Sequence, residues 1–249
     1  MHRFFVDTPI GGVGEHVCLN AEESAHASRV LRLRPGEEVR LLDGENIWAA
    51  ELETVDPKET AAVVTAACPS PEAPAKAVLF QGLPKADKLE LIAQKGTELG
   101  MWELWPVEME RSVAKADKAD KADKKRERLQ RIAMEAAKQS GRAHVPEVAA
   151  TQPFSKALAK LSDFDLVLVA WEDEHALRMS EAVSQYAAEH GMPERVMIVI
   201  GPEGGISEQE WQKLRDAGAV SVTLGSRILR TETAGLCALS VLWTALGEM

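Results

Sequence analysis

Residues 1 to about 67 alternate short apolar runs with turn signals. Val39-Arg40-Leu41-Leu42 and Ile47-Trp48-Ala49-Ala50-Glu51-Leu52 flank the dipeptide Asp43-Gly44. Asp-Gly between two such runs predicts a β-hairpin, because glycine tolerates the positive φ that a tight turn demands. Ala62-Val63-Val64-Thr65 predicts a further strand, and Glu22 to Leu31 a short helix. The segment as a whole reads as a small β-rich module. Cys68 to Ala75 then carries prolines at 69, 71 and 74. Proline cannot continue a helix or a central strand, so this stretch predicts a linker and a domain boundary.

From Lys76 the pattern changes to strands alternating with helices. Ala77 to Gln81, Asp165 to Trp171 and Val196 to Ile200 are continuous apolar runs, and Ser221 to Leu224 predicts one more strand. Leu104-Trp105-Pro106-Val107 predicts another, with Pro106 near a strand end or a sheet edge. Asp87 to Leu99 has Leu89, Ile92, Gly96 and Leu99 at helical spacing, with Gly100 as a stop, and Lys125 to Ser140 predicts a second helix. Apolar strands alternating with helices imply a parallel sheet covered on both faces. The triplet Lys-Ala-Asp occurs three times over 115–123. A three-residue period gives no apolar stripe, so this region predicts an exposed loop or a frayed helix end.

Charge alters the picture more than composition does. The 249-residue chain has a net charge of −10, which by itself argues against nucleic acid as a partner. From Arg111 to Arg142, however, eleven Lys and Arg stand against five Asp and Glu, a local balance of +6. One basic face on an acidic protein fits, and so does a solvated charged helix. The three cysteines are far apart and form no C-x-x-C pair, which predicts free thiols and no disulfide framework. No run approaches the ~20 apolar residues of a membrane span, and Met1 to Asp7 is too short an apolar stretch for a signal peptide. The expected location is cytoplasmic. The six histidines are scattered, and no group with metal-ligand spacing is present.

Two segments carry the candidate chemistry. Ile200 to Glu210 follows an apolar strand, places three glycines and a proline within five positions, and enters a helix through a Ser207/Glu210 capping box. Such a loop at the end of a parallel strand lets a ligand approach the backbone closely, although a tight turn without ligand has the same pattern. It is neither G-x-G-x-x-G nor a P-loop, so dinucleotide and triphosphate binding are not supported. Leu224 to Ala234 also leads from a strand through a glycine loop into a helix, with Thr231 as a candidate cap. Arg227 and Arg230 there suit an anion, or pairing with surface carboxylates. Arg111 and the helix end around Gln139 and Arg142 suit phosphate and base-edge contacts. Arg29 and Arg32, three apart, would share a helix face and could dock RNA backbone.

These segments together resemble the RsmE family of bacterial 16S rRNA (uracil-N3) methyltransferases, within the SPOUT class. The resemblance rests on Ile200 to Gly205, Leu224 to Ala234, Gln94 to Gly100, Gln139 to Arg142 and Arg29 to Arg32, in order and with compatible spacing. It implies an α/β fold: a SPOUT-type domain with a deep trefoil knot over 76–249, plus a PUA-like β-barrel that binds RNA over 1–70. It implies a homodimer acting on 16S rRNA, within the small ribosomal subunit and without a membrane.

The cofactor implied is S-adenosyl-L-methionine, giving S-adenosyl-L-homocysteine, with no metal. It would sit among Ala170, Trp171 and Glu172, then Ile200, Gly201, Pro202, Glu203, Gly204 and Gly205, then Leu224, Gly225, Ser226, Ile228, Leu229 and Thr233. Arg230 is the candidate for electrostatic catalysis. Glu232 is the candidate to orient an arginine or take part in proton transfer. Arg29, Arg32, Arg111, Gln139 and Arg142 are the candidate RNA contacts. Family members usually have Glu before the Gln-Ser segment, where this chain has Lys138. Three other readings stay open: another RNA position such as a ribose 2′-oxygen, a non-catalytic ribosome-assembly protein, and a small-molecule enzyme.

Overall fold

The computed structural model describes residues 1–85, 87–115 and 119–249. Two compact units divide it, Met1–Glu72 with Ala137–Val145, and Ala73–Ala136 with Pro146–Met249.

The first unit holds strands β1 (His2–Phe5) and β2 (His16–Cys18), helix α1 (Ala21–Ala25), and strands β3 (Glu38–Leu42), β4 (Ile47–Thr54) and β5 (Ala61–Cys68). The sheet order is β1-β3-β4-β5-β2, with β1 parallel to β3 and every other pair antiparallel. The Asp43-Gly44 hairpin forms. Asp43 accepts hydrogen bonds from the backbone N–H of Glu45 and Asn46 and from Trp48 Nε1. Partial burial opposes ionisation of this carboxyl, but those donors and Ile10 N–H hold it below the usual carboxylate range. Helix α1 starts on the Asn20 side chain, which accepts from Glu23 N–H at 2.9 Å. It continues as a π-helical turn, His26–Val30, and ends at Arg32, whose φ of +54° is the one positive value outside glycine among the described residues.

The proline-rich stretch is pinned. Glu72 accepts from Arg142 Nη2 at 2.6 Å and from the N–H groups of Ala143 and His144. A second buried ion pair joins Lys138 Nζ to Glu23 at 2.6 Å. Lys138 thus neutralises a carboxylate that is only 6% exposed.

The second unit holds β6 (Lys76–Gly82), α2 (Lys88–Glu98), β7 (Glu103–Glu108), α3 (Ala119–Ser140, whose last turn belongs to the first unit), β8 (Glu147–Val148), β9 (Gln152–Pro153), α4 (Phe154–Leu158), β10 (Leu166–Ala170), α5 (Met179–His190), β11 (Arg195–Ile200), α6 (Glu208–Asp216), β12 (Val220–Val222) and α7 (Thr231–Leu246). The strands make one wholly parallel sheet in the order β12-β10-β11-β6-β7, with β8 and β9 both on the outer side of β7. The expectation for the Lys-Ala-Asp triplets falls at 116–118 outside the described residues. From Ala119 the triplets are helical rather than looped.

Pro106 sits where β7 is locally the sheet edge, as the sequence suggests. It lies within β7, opposite Gln81 of β6. On its other side β8 pairs with Glu103 and Leu104 and β9 with Val107 and Glu108, so the neighbouring strand is broken opposite Trp105 and Pro106. The missing N–H of proline therefore leaves no ladder partner unserved.

Alternation along β6 sends Val78 and Phe80 to one face and Ala77, Leu79 and Gln81 to the other. Val78 and Phe80 join Val107, Val169, Val199, Trp211 and Leu214 in one core, against α4 and α6. Burying each large side chain of this kind contributes roughly 1.5–3 kcal/mol. The opposite face receives α7, where Gly235 lets the helix come close to Leu79 and Gln81.

Candidate active site

Chain direction reverses between β6 and β11: β6 leads outward to β7, while β11 leads the other way to β12. Ligands in open α/β sheets bind beyond the strand ends near such a point. Here the ends of β10, β11 and β12 open into three loops that line a cavity of about 790 Å³.

The loop after β10 is held by Glu174. Its carboxylate accepts from the Ser221 hydroxyl at 2.6 Å and from the N–H groups of Ala176 and Leu177. These donors, Ser221 first, hold Glu174 below the usual carboxylate range. Trp171 stacks on Trp211, with ring centroids 4.9 Å apart.

The loop after β11 is a tight turn, in which Gly205 N–H donates to Pro202 O at 3.0 Å. Gly205 has φ +72°, and a Cβ there would run into the Glu172 carboxylate. A Cβ at Gly201 would lie 2.9 Å from Ile206 Cγ1. These glycines are required by close approach and not by flexibility. The Ser207/Glu210 capping box forms as the sequence predicts and starts α6.

Glu203 anchors the same loop sideways. It accepts from Lys85 N–H at 3.0 Å and from Lys88 Nζ at 2.9 Å, and Lys88 also lies 3.1 Å from Glu232 Oε2 as a close ion pair. One ammonium thus joins the start of α2, the glycine loop and the first turn of α7. Hydrogen bonding to Glu203 and then Glu232 raises the Lys88 pKa. Burial works against ionisation of Glu203, but Lys85 N–H and Lys88 outweigh it, and the pKa falls. For Glu232 burial is likewise outweighed, by its own backbone N–H, Lys88 and Arg230.

The structure brings most of the expected pocket residues together. Ala170, Trp171 and Glu172, Ile200 to Glu203 with Gly205, Leu224 to Ser226, Ile228, Leu229 and Arg230 all line the cavity. Gly204, Glu232 and Thr233 do not. Gly204 packs instead against Arg111, whose Nη1 donates to Gly204 O at 3.2 Å, and Thr233 is exposed in the first turn of α7. Arg29, Arg32, Arg111 and Gln139 are exposed. Arg142 is 4% exposed and its guanidinium is engaged with Glu72, so its place is the interior of the first unit.

Thr231 is not the cap of α7. Arg230 holds the cap position, and the Thr231 hydroxyl donates to Gly201 O at 2.6 Å. Sequence reasoning also missed Lys88. The one available signal was a cation at the start of a helix, where the macrodipole disfavours it.

The lining combines apolar surface from Ile200, Val222, Leu224 and Leu229 with the acids Glu172, Asp173 and Glu203 and the cations Lys88, Arg227 and Arg230. Such a cavity suits a small ligand with both apolar and charged parts. Among the described residues no group of three or more His, Cys, Asp or Glu could hold a metal ion.

Residues 71–243 match the RNA methyltransferase domain family, and residues 19–64 match the RNA methyltransferase PUA domain family. The ribosomal RNA small subunit methyltransferase E of Bacillus subtilis is 38% identical over 97% of this chain and 96% of its own length. The protein of that name from Mycobacterium tuberculosis is 32% identical over 95% and 88%. A crystal structure of the Neisseria gonorrhoeae ribosomal RNA small subunit methyltransferase E bound to S-adenosyl methionine superposes with a TM-score of 0.81 at 32% identity, over 98% of this chain and 97% of that one.

Proposed function

The chain belongs to the RNA methyltransferase family that includes the ribosomal RNA small subunit methyltransferase E proteins, and on that premise we propose that it methylates N3 of a uridine in 16S rRNA of the small ribosomal subunit. The observation that carries this reading is the convergence of three strand-end loops on one cavity, lined by apolar side chains and by charged groups of both signs. S-adenosyl-L-methionine supplies an electrophilic sulfonium methyl when bound and leaves as S-adenosyl-L-homocysteine. The volume, and the glycines that admit no Cβ, fit such a group. The acids Glu172 and Asp173 complement its positive charge.

Uracil N3 is a weak nucleophile until its proton leaves, and charge then develops on the ring oxygens. Arg230, exposed at the cap of α7 and on the cavity rim, is placed to stabilise that charge. Glu232 is held ionised by its contact with Lys88, which suits orienting that lysine better than accepting a proton. Arg29, Arg32, Arg111 and Gln139 are the RNA contacts in this reading, while Arg142 secures Glu72.

The first unit acts as a PUA-like barrel and the second as a SPOUT domain whose last segments pass through a trefoil knot. The return of the chain from outermost β12 to α7, packed over β6 and β11 at the sheet centre, favours that path. The working form is a cytoplasmic homodimer. Ile228, 94% exposed on the cavity rim, is a residue that a second copy would cover.

The test is incubation of the protein with small ribosomal subunits and S-adenosylmethionine, followed by nucleoside analysis of the rRNA. The expected product is 3-methyluridine. A 2′-O-methylated nucleoside would keep the enzyme class and change the target, and no methylation would overturn the reading.

A further inference from the structure

Gln81 lies near the end of β6 and is fully buried on the face that meets α7. Its Nε2 donates to Gly82 O at 3.0 Å and to Thr231 Oγ1 at 2.8 Å. The orientation of this amide is dictated by its surroundings. A backbone carbonyl can only accept, and the single hydroxyl proton of Thr231 is directed at Gly201 O, 2.6 Å away. The amide must therefore turn its nitrogen to both. Among the described residues Gln81 Oε1 is left buried with no hydrogen-bond partner, beside Gly235 of α7. A buried acceptor without a donor is a standing cost to stability.

The three groups form a chain from the sheet, through α7, to the glycine loop. Its last link holds a peptide with few other means of being held. Residue 202 is proline, so the Gly201–Pro202 peptide has no N–H, and Gly201 O is its only polar handle. Gly201 and Thr231 stand on two different walls of the cavity. Their hydrogen bond fixes the spacing of those walls along one edge. Gln81 occupies a lone pair of the Thr231 hydroxyl, which leaves the proton facing Gly201 O.

We propose that Gln81 and Thr231 are positioning residues for the cofactor loop, and that the chain keeps an unmatched buried amide oxygen because the opposite end of that amide aims the Thr231 hydroxyl. The inference rests on the reading that the cavity binds S-adenosylmethionine. It differs from a purely structural role in one respect: the effect is read in cofactor affinity and is rescued by the conservative variant that keeps the hydroxyl. Methionine at position 81 removes the unmatched oxygen and retains most of the volume, but it also withdraws the donor from Gly82 O and Thr231 Oγ1, so the hydroxyl loses its guide without the fold being relieved.

The experiment is calorimetric titration with S-adenosylmethionine and thermal unfolding, on the full-length protein and its Gln81→Met, Thr231→Val and Thr231→Ser variants. The wild type binds. Gln81→Met stays folded, with a melting temperature at or modestly below that of the wild type, and weakens binding about tenfold or more. Thr231→Val weakens binding at least as much, while Thr231→Ser, which keeps the hydroxyl, stays within about twofold of wild type. Wild-type affinity in both Gln81→Met and Thr231→Val would overturn the proposal and leave the cavity assignment standing. A Thr231→Ser variant as weak as Thr231→Val would also overturn it. A folded wild type that does not bind S-adenosylmethionine would overturn the cavity assignment itself, and the proposal with it.

Discussion

Replacing Gly82 with alanine adds one methyl group where the ends of β6 and β11 meet. The new Cβ would sit 2.5 Å from Pro202 N, 2.6 Å from Pro202 Cδ and 2.9 Å from Gly201 C. Two of these atoms are backbone and the third belongs to a closed ring, so no flexible side chain can swing aside. Ordinary contact begins near 3.4 Å, so the Gly201–Pro202 peptide must retreat by about 0.9 Å, the difference between 3.4 and 2.5. That retreat pulls against the parallel pairing of Gln81 with Ile200 one residue earlier. Forcing a methyl into a packed site of this kind costs about 1–3 kcal/mol. For a chain of this size each kcal/mol lowers the melting temperature by roughly 2–4 °C, which gives a fall of about 2–12 °C. The peptide that moves lines the cavity, so the dissociation constant for S-adenosylmethionine should rise about tenfold. Scanning calorimetry and titration calorimetry read the two effects. Gly218→Ala is the control. Unlike Gly82 it has positive φ, +91°, and no atom lies within 4 Å of its Cβ position. It should cost about 1 kcal/mol in backbone strain and leave affinity unchanged. A Gly82→Ala protein with wild-type melting temperature and affinity would refute the reasoning.

Lys138→Ala leaves the buried Glu23 carboxylate without its partner, and should destabilise the protein by about 3 kcal/mol, read by denaturant unfolding. Lys138→Met with Glu23→Gln, which removes both charges, should recover much of that loss. Arg230→Ala should lower kcat about 10²-fold or more while S-adenosylmethionine affinity stays near wild type, and unchanged turnover removes Arg230 from the mechanism. The contact of Lys88 with Glu203 and Glu232 should shape the pH dependence of cofactor binding. Both carboxyls titrate below their ordinary value of 4.5, so their contribution is complete above it and is lost as pH falls through the lowered values. Lys88 titrates above its ordinary 10.5, so its contribution persists to that pH and is lost only on further rise. Affinity across pH 5–9 should therefore lack a step from this cluster, and a Lys88→Met variant should differ from wild type by a constant factor over that range.

Much of the architecture was legible in the chain because it depends on local rules. The Asp43-Gly44 hairpin, the Ser207/Glu210 capping box, the apolar strands and the helix before Gly100 each follow from a short span of residues. Pro106 signalled a nearby sheet edge, but the gap between β8 and β9 that makes this edge depends on residues some forty positions away. Arg142 was misread for a related reason. A cluster of basic and amide residues at a helix end looks like a surface, and its burial depends on Glu72 from the proline-rich stretch.

The sequence by itself determined the β-rich first part and the strand–helix alternation of the second, the glycines that shape the loops, and the family, since these reside in contiguous patterns. The tertiary structure decided which charged groups remain free. Lys88, Lys138 and Arg142 are alike in composition, yet one clasps two carboxylates beside the cavity and two neutralise buried acids. It also decided that Thr231 bridges two walls of the cavity and does not cap its helix. The physical reason is that hydrogen bonds and ion pairs act over about 3 Å, and a parallel sheet brings residues 81, 201 and 231 within that distance although more than a hundred positions separate the first two.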